Sequence, residues 1–168
     1  MGSANVQLSA PLQQLMNDHV SLRKEMDEFY EVTEEIDYES DSIIMELFTK
    51  LYEQISTFTI NLKAHSIKEE EGLFPLMQRR LGDKDKTIEV MEYEHDKAEQ
   101  HLQDFLTESA QGKQPLDFDK VRYLTVFAVQ AYTTLIEHFA KEEKVLFPLA
   151  ENVLSVDEKE ELQRLFLA

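Results

Sequence analysis

Four long stretches of the chain repeat inward-type positions every three or four residues, the spacing of a helix with one buried face. In the first, from about Ala10 to Asp37, these positions are Leu12, Leu15, His19, Leu22, Met26, Phe29, Thr33 and Ile36. The second opens near Ser40-Asp41-Ser42, residues that favour a helix N-cap, and runs to about Arg80. Its stripe is Leu51, Ile55, Phe58, Leu62, His65 and Glu69, and Gly82 supplies a C-cap. The third, about Asp85 to Ala110, carries Ile88, Met91, His95, Ala98, Leu102 and Phe105 and stops before Gly112. The fourth starts at Asp117, after Pro115, and reaches about Glu151 through Val121, Leu124, Ala128, Ala131, Leu135, His138 and Glu142. Ser155-Val156-Asp157-Glu158 reads as a capping box that opens a short fifth helix.

Short connections make neighbouring helices pack antiparallel. The expected fold is all-α: an up-down-up-down four-helix bundle over about residues 10–151, with a short C-terminal helix over about 155–167. No linker divides the chain, so residues 1–168 are expected to form a single domain.

The pattern also repeats. His65-Ser-Ile-Lys-Glu69-Glu70-Glu-Gly-Leu73-Phe74-Pro75-Leu76 matches His138-Phe-Ala-Lys-Glu142-Glu143-Lys-Val-Leu146-Phe147-Pro148-Leu149. His19, Leu22, Met26 and Phe29 correspond more weakly, but in register, to His95, Ala98, Leu102 and Phe105. Each half is a helical hairpin: one helix with an inward His, then a helix with His-x-x-x-Glu.

Composition narrows the chemistry. Among 168 residues there is no Cys, which removes disulfides, iron–sulfur ligation, thiolate zinc sites and thiol nucleophiles. A metal here must use His, carboxylate or water. The net charge of −17 sets aside nucleic acid and anionic membranes as partners. No signal peptide or membrane span is visible, and a cytoplasmic location is the expectation.

Residues four apart on a helix share a face, so His65 pairs with Glu69 and His138 with Glu142. All four extend inward stripes, as do His19 and His95. One such histidine is ordinarily a core residue bonded to a neighbour, and a run such as Glu69-Glu70-Glu71 is ordinarily a solvated face. Recurrence in a duplicated frame changes this: four imidazoles and two carboxylates are asked to share one interior. Buried carboxylates require pairing or a metal. Two divalent ions would neutralise the set, in the manner of bundle-core dinuclear sites. Imidazole with carboxylate suits non-haem iron, with manganese or zinc as alternatives.

From about residue 12 to 150, these residues resemble the hemerythrin family and its His-His-Glu cation-binding repeat. The resemblance rests on His19 with His65-x-x-x-Glu69-Glu70-x-x-Leu73-Phe74-Pro75, and on His95 with His138-x-x-x-Glu142-Glu143-x-x-Leu146-Phe147-Pro148. It implies a four-helix bundle with a di-iron centre. Glu69 and Glu142 would bridge the two irons, and His19 and His95 would be terminal ligands. It further implies dioxygen, nitric oxide or peroxide as small ligands. The expectation is a metal- and oxygen-binding protein rather than a dedicated enzyme; an iron-handling or regulatory module and a di-iron oxidase or peroxidase are the alternatives.

Oxygen-carrying hemerythrins use five histidines, and only four fit the frame here. One turn beyond His95 stands Glu99, a candidate extra carboxylate ligand. His101 lies six residues from His95, about 240° around the helix, and should point elsewhere. Glu70 and Glu143 are expected at the rim or behind the ligands, where they can orient a histidine. Tyr93 and Tyr132 are candidate donors to a bound oxygen species. The Leu-Phe-Pro segments are expected to close the bundle end, with Pro75 and Pro148 perturbing the local helix.

Overall fold

The computed structural model describes residues 6–39, 41–110 and 117–167, and within these it is helical, with no strand. Helix α1 spans Ala10–Tyr38, with Pro11 in its first turn, where a missing N–H costs nothing. Helix α2 (Asp41–Ile67) passes through a π-helical segment, Lys68–Leu73, into α3 (Phe74–Leu81). Helix α4 spans Thr87–Ala110. Helix α5 (Phe118–Lys141) passes through a second π segment, Glu142–Leu146, into α6 (Phe147–Val153). Helix α7 spans Val156–Leu167.

The boundary chemistry explains these limits. Asp117 caps α5 by accepting the Lys120 N–H at 2.7 Å. Asp85 accepts the Thr87 N–H at 2.8 Å, which starts α4 two residues later than the stripe suggests. At α7 the Glu158 N–H donates to Ser155 Oγ at 3.1 Å and the Ser155 N–H donates to Glu158 Oε1 at 2.9 Å, the reciprocal pair of a capping box. Gly82 ends α3 at φ +87°, a conformation that a Cβ would strain. Ser40, Gly112 and Pro115, read as boundary residues from the sequence, lie outside the described residues.

Helices α1, α2, α4 and α5 pack in the ring α1–α2–α4–α5–α1, and α2 and α5 also meet across it. Helix α7 lies against α1 and the first π segment, with Leu162 fully buried. The apolar interior falls into two clusters. One runs from Leu22, Leu62, Ala98 and Leu135 through Met26, Phe29, Phe58 and Phe105. The other gathers Leu12, Leu15, Phe74, Met91, Phe147 and Leu162. In every long helix the inward His or Glu stands between these clusters: His19 between Leu15 and Leu22, His95 between Met91 and Ala98. A polar layer is thus sealed by apolar packing on both sides, and Phe74 and Phe147 of the Leu-Phe-Pro segments belong to one of the seals.

The π segments are the departure from simple periodicity. The Phe74 N–H donates to Glu69 O and the Phe147 N–H to Glu142 O, five residues back in both cases. Pro75 and Pro148 have no N–H and their rings crowd the carbonyl four residues earlier, so the helix widens just ahead of them. The extra residue in each wide turn rotates the downstream stripe. Glu69 and Glu142 face the polar layer, and Leu73, Phe74, Leu76 and Met77 in one copy and Leu146, Phe147 and Ala150 in the other still face apolar neighbours.

Candidate metal centre

Helices α1 and α4 each carry one inward histidine, and the α2 and α5 helices each carry a histidine and, one turn on in the π segment, a glutamate. His19, His65, His95, His138, Glu69 and Glu142 are all buried, both glutamates completely. His19 Nε2 lies 3.1 Å from Glu142 Oε1, and His65 Nε2 lies 3.3 Å from Glu69 Oε1. His95 Nε2 lies 3.1 Å from Glu69 Oε1 and 3.9 Å from Glu142 Oε2, and His138 Nε2 lies 3.3 Å from Glu142 Oε1. Two groups of donor atoms result, each within 4.8 Å of one another: His19, His65, Glu69 and Glu142, and Glu69, His95, His138 and Glu142. Both glutamates belong to both groups.

The far side of each imidazole is held by a carboxylate. His19 Nδ1 meets Glu143 at 2.7 Å, His65 Nδ1 meets Asp18 at 3.0 Å, His95 Nδ1 meets Glu70 at 3.1 Å and His138 Nδ1 meets Glu94 at 3.0 Å. Lys68 bonds Asp18, Lys141 bonds Glu94, and Arg23 bonds Glu143. A carboxylate at Nδ1 holds the proton there and turns the Nε2 lone pair inward. In a neutral ring that lone pair points at carboxylate oxygens, which are themselves acceptors. Nε2 of His19, His65 and His138 and both oxygens of Glu69 and Glu142 are buried without a hydrogen-bond partner. Acceptors facing acceptors in a buried layer repel each other, and a cation between them removes the repulsion.

The titration behaviour of the metal-free layer carries the same strain. Burial raises the Glu142 carboxyl well above its ordinary value, and the Glu69 carboxylate beside it adds to the rise. Burial also works against Glu69, but the neighbouring Glu142 carboxyl and the charge of His65 outweigh it and hold Glu69 well below its ordinary value. Burial opposes the charge on His65 too, yet Glu69 and Asp18 raise it to about 9. Burial and the neighbouring His95 push His138 down to about 4. The two copies of the motif are thus shifted in opposite directions, His65 up and His138 down, Glu142 up and Glu69 down.

The other candidates fall elsewhere. Glu99 shares the His95 face but lies beyond the converging donors, with Oε2 at 3.7 Å from Lys63 Nζ between α2 and α4. His101 is half-buried and outside both groups. Tyr93 is exposed, and the Tyr132 hydroxyl meets Asp27 at 3.4 Å while its ring stacks on Tyr30, so neither tyrosine faces the layer. Glu70 and Glu143 stand behind ligand-type histidines, as expected. Asp18 and Glu94 share that role and were not singled out in the sequence. The signal was available: an acidic residue immediately precedes both His19 and His95.

Comparison with known proteins gives the family. Two curated relatives are iron–sulfur cluster repair proteins named YtfE. The one from Musicola paradisiaca is 35% identical over 99 residues, covering 58% of this chain and 45% of its own length. The one from Yersinia pestis is 35% identical over 100 residues, with the same coverage. The chain therefore spans less than half the length of these relatives. No solved structure gives a significant match. The profile of the hemerythrin HHE cation-binding domain matches residues 10–150, the whole stretch from the start of α1 to α6, and the chain belongs to that family.

Proposed function

We propose that this protein holds two non-haem irons between its helices and takes up dioxygen, nitric oxide or peroxide there, as a binding or sensing protein. The observation that carries the reading is the polar layer: six buried donors in two overlapping groups, with every histidine braced from behind so that Nε2 faces inward. His19 and His65 would hold one ion, His95 and His138 the other, and Glu69 and Glu142 would bridge them. An iron pair supplies open coordination positions and electrons for small oxygen and nitrogen ligands; manganese or zinc would fit the same donors. Residues 1–168 would form one domain, an up-down-up-down four-helix bundle with α7 laid on it. The ring of helix contacts and the short described connections support that topology. Among the described residues no helix is long and apolar enough to cross a membrane, in line with a cytoplasmic protein.

A second reading has its own support. The YtfE relatives are named for iron–sulfur cluster repair, which makes iron handling for such repair a rival role for the same centre. Two measurements separate the readings. A spectral change on adding nitric oxide to the ferrous protein, reversible on degassing, supports ligand binding. Transfer of its iron to a cluster-deficient acceptor protein, without added reductant, supports repair.

Elemental analysis should find about two iron atoms per chain after anaerobic ferrous reconstitution, one for each donor group. No more than a trace of any transition metal would overturn the reading. The bracing carboxylates give a graded expectation. Asp18→Asn and Glu94→Gln should each weaken metal binding by about 10–100-fold, because outer partners orient a ligand and raise its basicity. Competition with a ferrous chelator measures this. An equal effect from Asp96→Asn, an exposed residue of α4, would show a loss of net charge rather than of orientation.

A further inference from the structure

The internal duplication pairs the interface between α2 and α4 with the interface between α5 and α1. The two are built differently. At the α5–α1 interface, Phe139 stacks on the His19 ring at 4.0 Å, and the Arg23 guanidinium lies over Phe139 at 5.7 Å while bonding Glu143. Phe139 fills the space beside the histidine, and Arg23 straps it down. In the aligned repeats the residue matching Phe139 is Ser66, and the residue matching Arg23 is Glu99. The α2–α4 interface therefore lacks the aromatic plug and the arginine over it, and is bridged instead by the looser, half-exposed pair of Lys63 with Glu99 at 3.7 Å. Phe74 and Phe147, the other rings near the histidines, are present in both copies, at 5.5 Å from His95 and 5.4 Å from His19. Among the rings beside the histidines, Phe139 is the one without a counterpart in the other copy.

A groove of about 950 Å³ runs along the α2–α4 interface. Leu62 and Glu99 line it, and one helical turn further along the same faces stand Ser66 and His95. Lys63, Ala64 and Ile67, which flank Ser66, and Asp96, which follows His95, also line it. Ser66 is buried, and its side chain is smaller than Phe139 by most of a ring. Glu99 Oε1 is buried without a hydrogen-bond partner at this point, whereas Arg23 in the other copy is tied to Glu143. A smaller groove of about 200 Å³ between α1 and α2 touches His65, but Asp18 and Lys68 close it by bonding that histidine and each other.

We propose that small uncharged ligands such as nitric oxide or dioxygen reach the metal centre through the α2–α4 interface, past Ser66, on the side of the ion held by His95 and His138. The mostly apolar groove collects neutral molecules. Asp96 and Glu99 at its wall, on a chain of net charge −17, turn anions away. Phe139 and Arg23 keep the matching side shut. The inference rests on the metal reading above and adds a direction to it.

The test is the association rate of nitric oxide with the iron-loaded ferrous protein, followed by stopped-flow absorbance. Iron content is measured first on every sample. Ser66→Phe copies the plug and should slow association about tenfold, because the ligand must then wait for side-chain motion. Glu99→Arg copies the strap from within the groove, clear of the donor groups, and should slow it to a lesser degree. Phe139→Ser opens the opposite side and should restore a fast rate in the Ser66→Phe background. If wild type holds no iron, the metal reading itself fails, and this one with it. If iron content is preserved and neither Ser66→Phe nor Glu99→Arg changes the rate, the ligand uses another path and the proposal is overturned. Should Ser66→Phe lose iron, Glu99→Arg decides alone. Slower removal of iron by a chelator with an unchanged nitric oxide rate also overturns it, since the groove would then pass ions rather than neutral ligands.

Discussion

Iron-loaded protein is expected to melt roughly 10 °C above the iron-free protein, taking ~2–4 °C per kcal/mol for a domain of this size. A ligand that binds only the folded state adds ~4 kcal/mol at a thousandfold excess over its dissociation constant. The effect should be large here because the iron-free layer is poorly satisfied. Glu69 and Glu142 are completely buried, and their oxygens find no hydrogen-bond partner. Glu69→Ala and Glu142→Ala should each abolish most of the gain, from both directions. Each removes a proposed bridge in the loaded protein, and each relieves carboxylate repulsion in the iron-free one. Glu71→Ala, on the exposed side of the same π segment, should keep the full shift. Thermal unfolding by circular dichroism, with and without iron, reads all four proteins. A wild-type curve unmoved by iron would mean that the six residues are a polar core and not a metal centre.

The second large effect concerns which histidine of α4 counts. His95→Ala should lose the iron at its position, with affinity down about 100-fold or more, beyond the effect of removing an outer partner. Its Nε2 reaches toward both buried carboxylates, so water replacing the ring has no rigid mount. His101→Ala, two turns away and outside both donor groups, should leave iron content and spectrum unchanged. Equal losses from the two variants would place the wrong face of α4 against the centre.

Much of the fold was legible because burial along a helix has one period. The stripes through His19, His65, His95 and His138 placed all four rings in the interior, and the duplicated His-x-x-x-Glu placed both carboxylates with them. The capping box at Ser155 and the C-cap at Gly82 held as well. What escaped the sequence were features that period alone does not encode. Pro75 and Pro148 perturb the local helix as expected, but that the perturbation is a π turn reaching back to Glu69 and Glu142 is not written in the spacing. Asp18 and Glu94 project about 100° away from their neighbouring histidines, so a stripe analysis passes over them. They matter because each reaches the histidine of the adjacent helix. Glu99 fits the i, i+4 rule with His95, but its carboxylate meets Lys63 across the α2–α4 interface instead of turning inward. Tyr93 and Tyr132 had no spacing argument, and neither faces the centre.

The bracing carboxylates cross the duplication in an alternating way. Asp18 and Glu94 brace histidines of their own hairpins, but Glu143 braces His19 and Glu70 braces His95 in the opposite ones. Each donor group likewise borrows a glutamate from the other half. A chain severed between Ala110 and Asp117 would therefore yield two fragments, neither holding a complete donor group. Iron uptake by the mixed fragments would turn bimolecular, rising with the product of their concentrations, and the metal would act as the glue that rejoins them. A single hairpin could reach the same geometry only by pairing with a copy of itself, which is the simplest ancestor that a duplicated sequence of this kind can have.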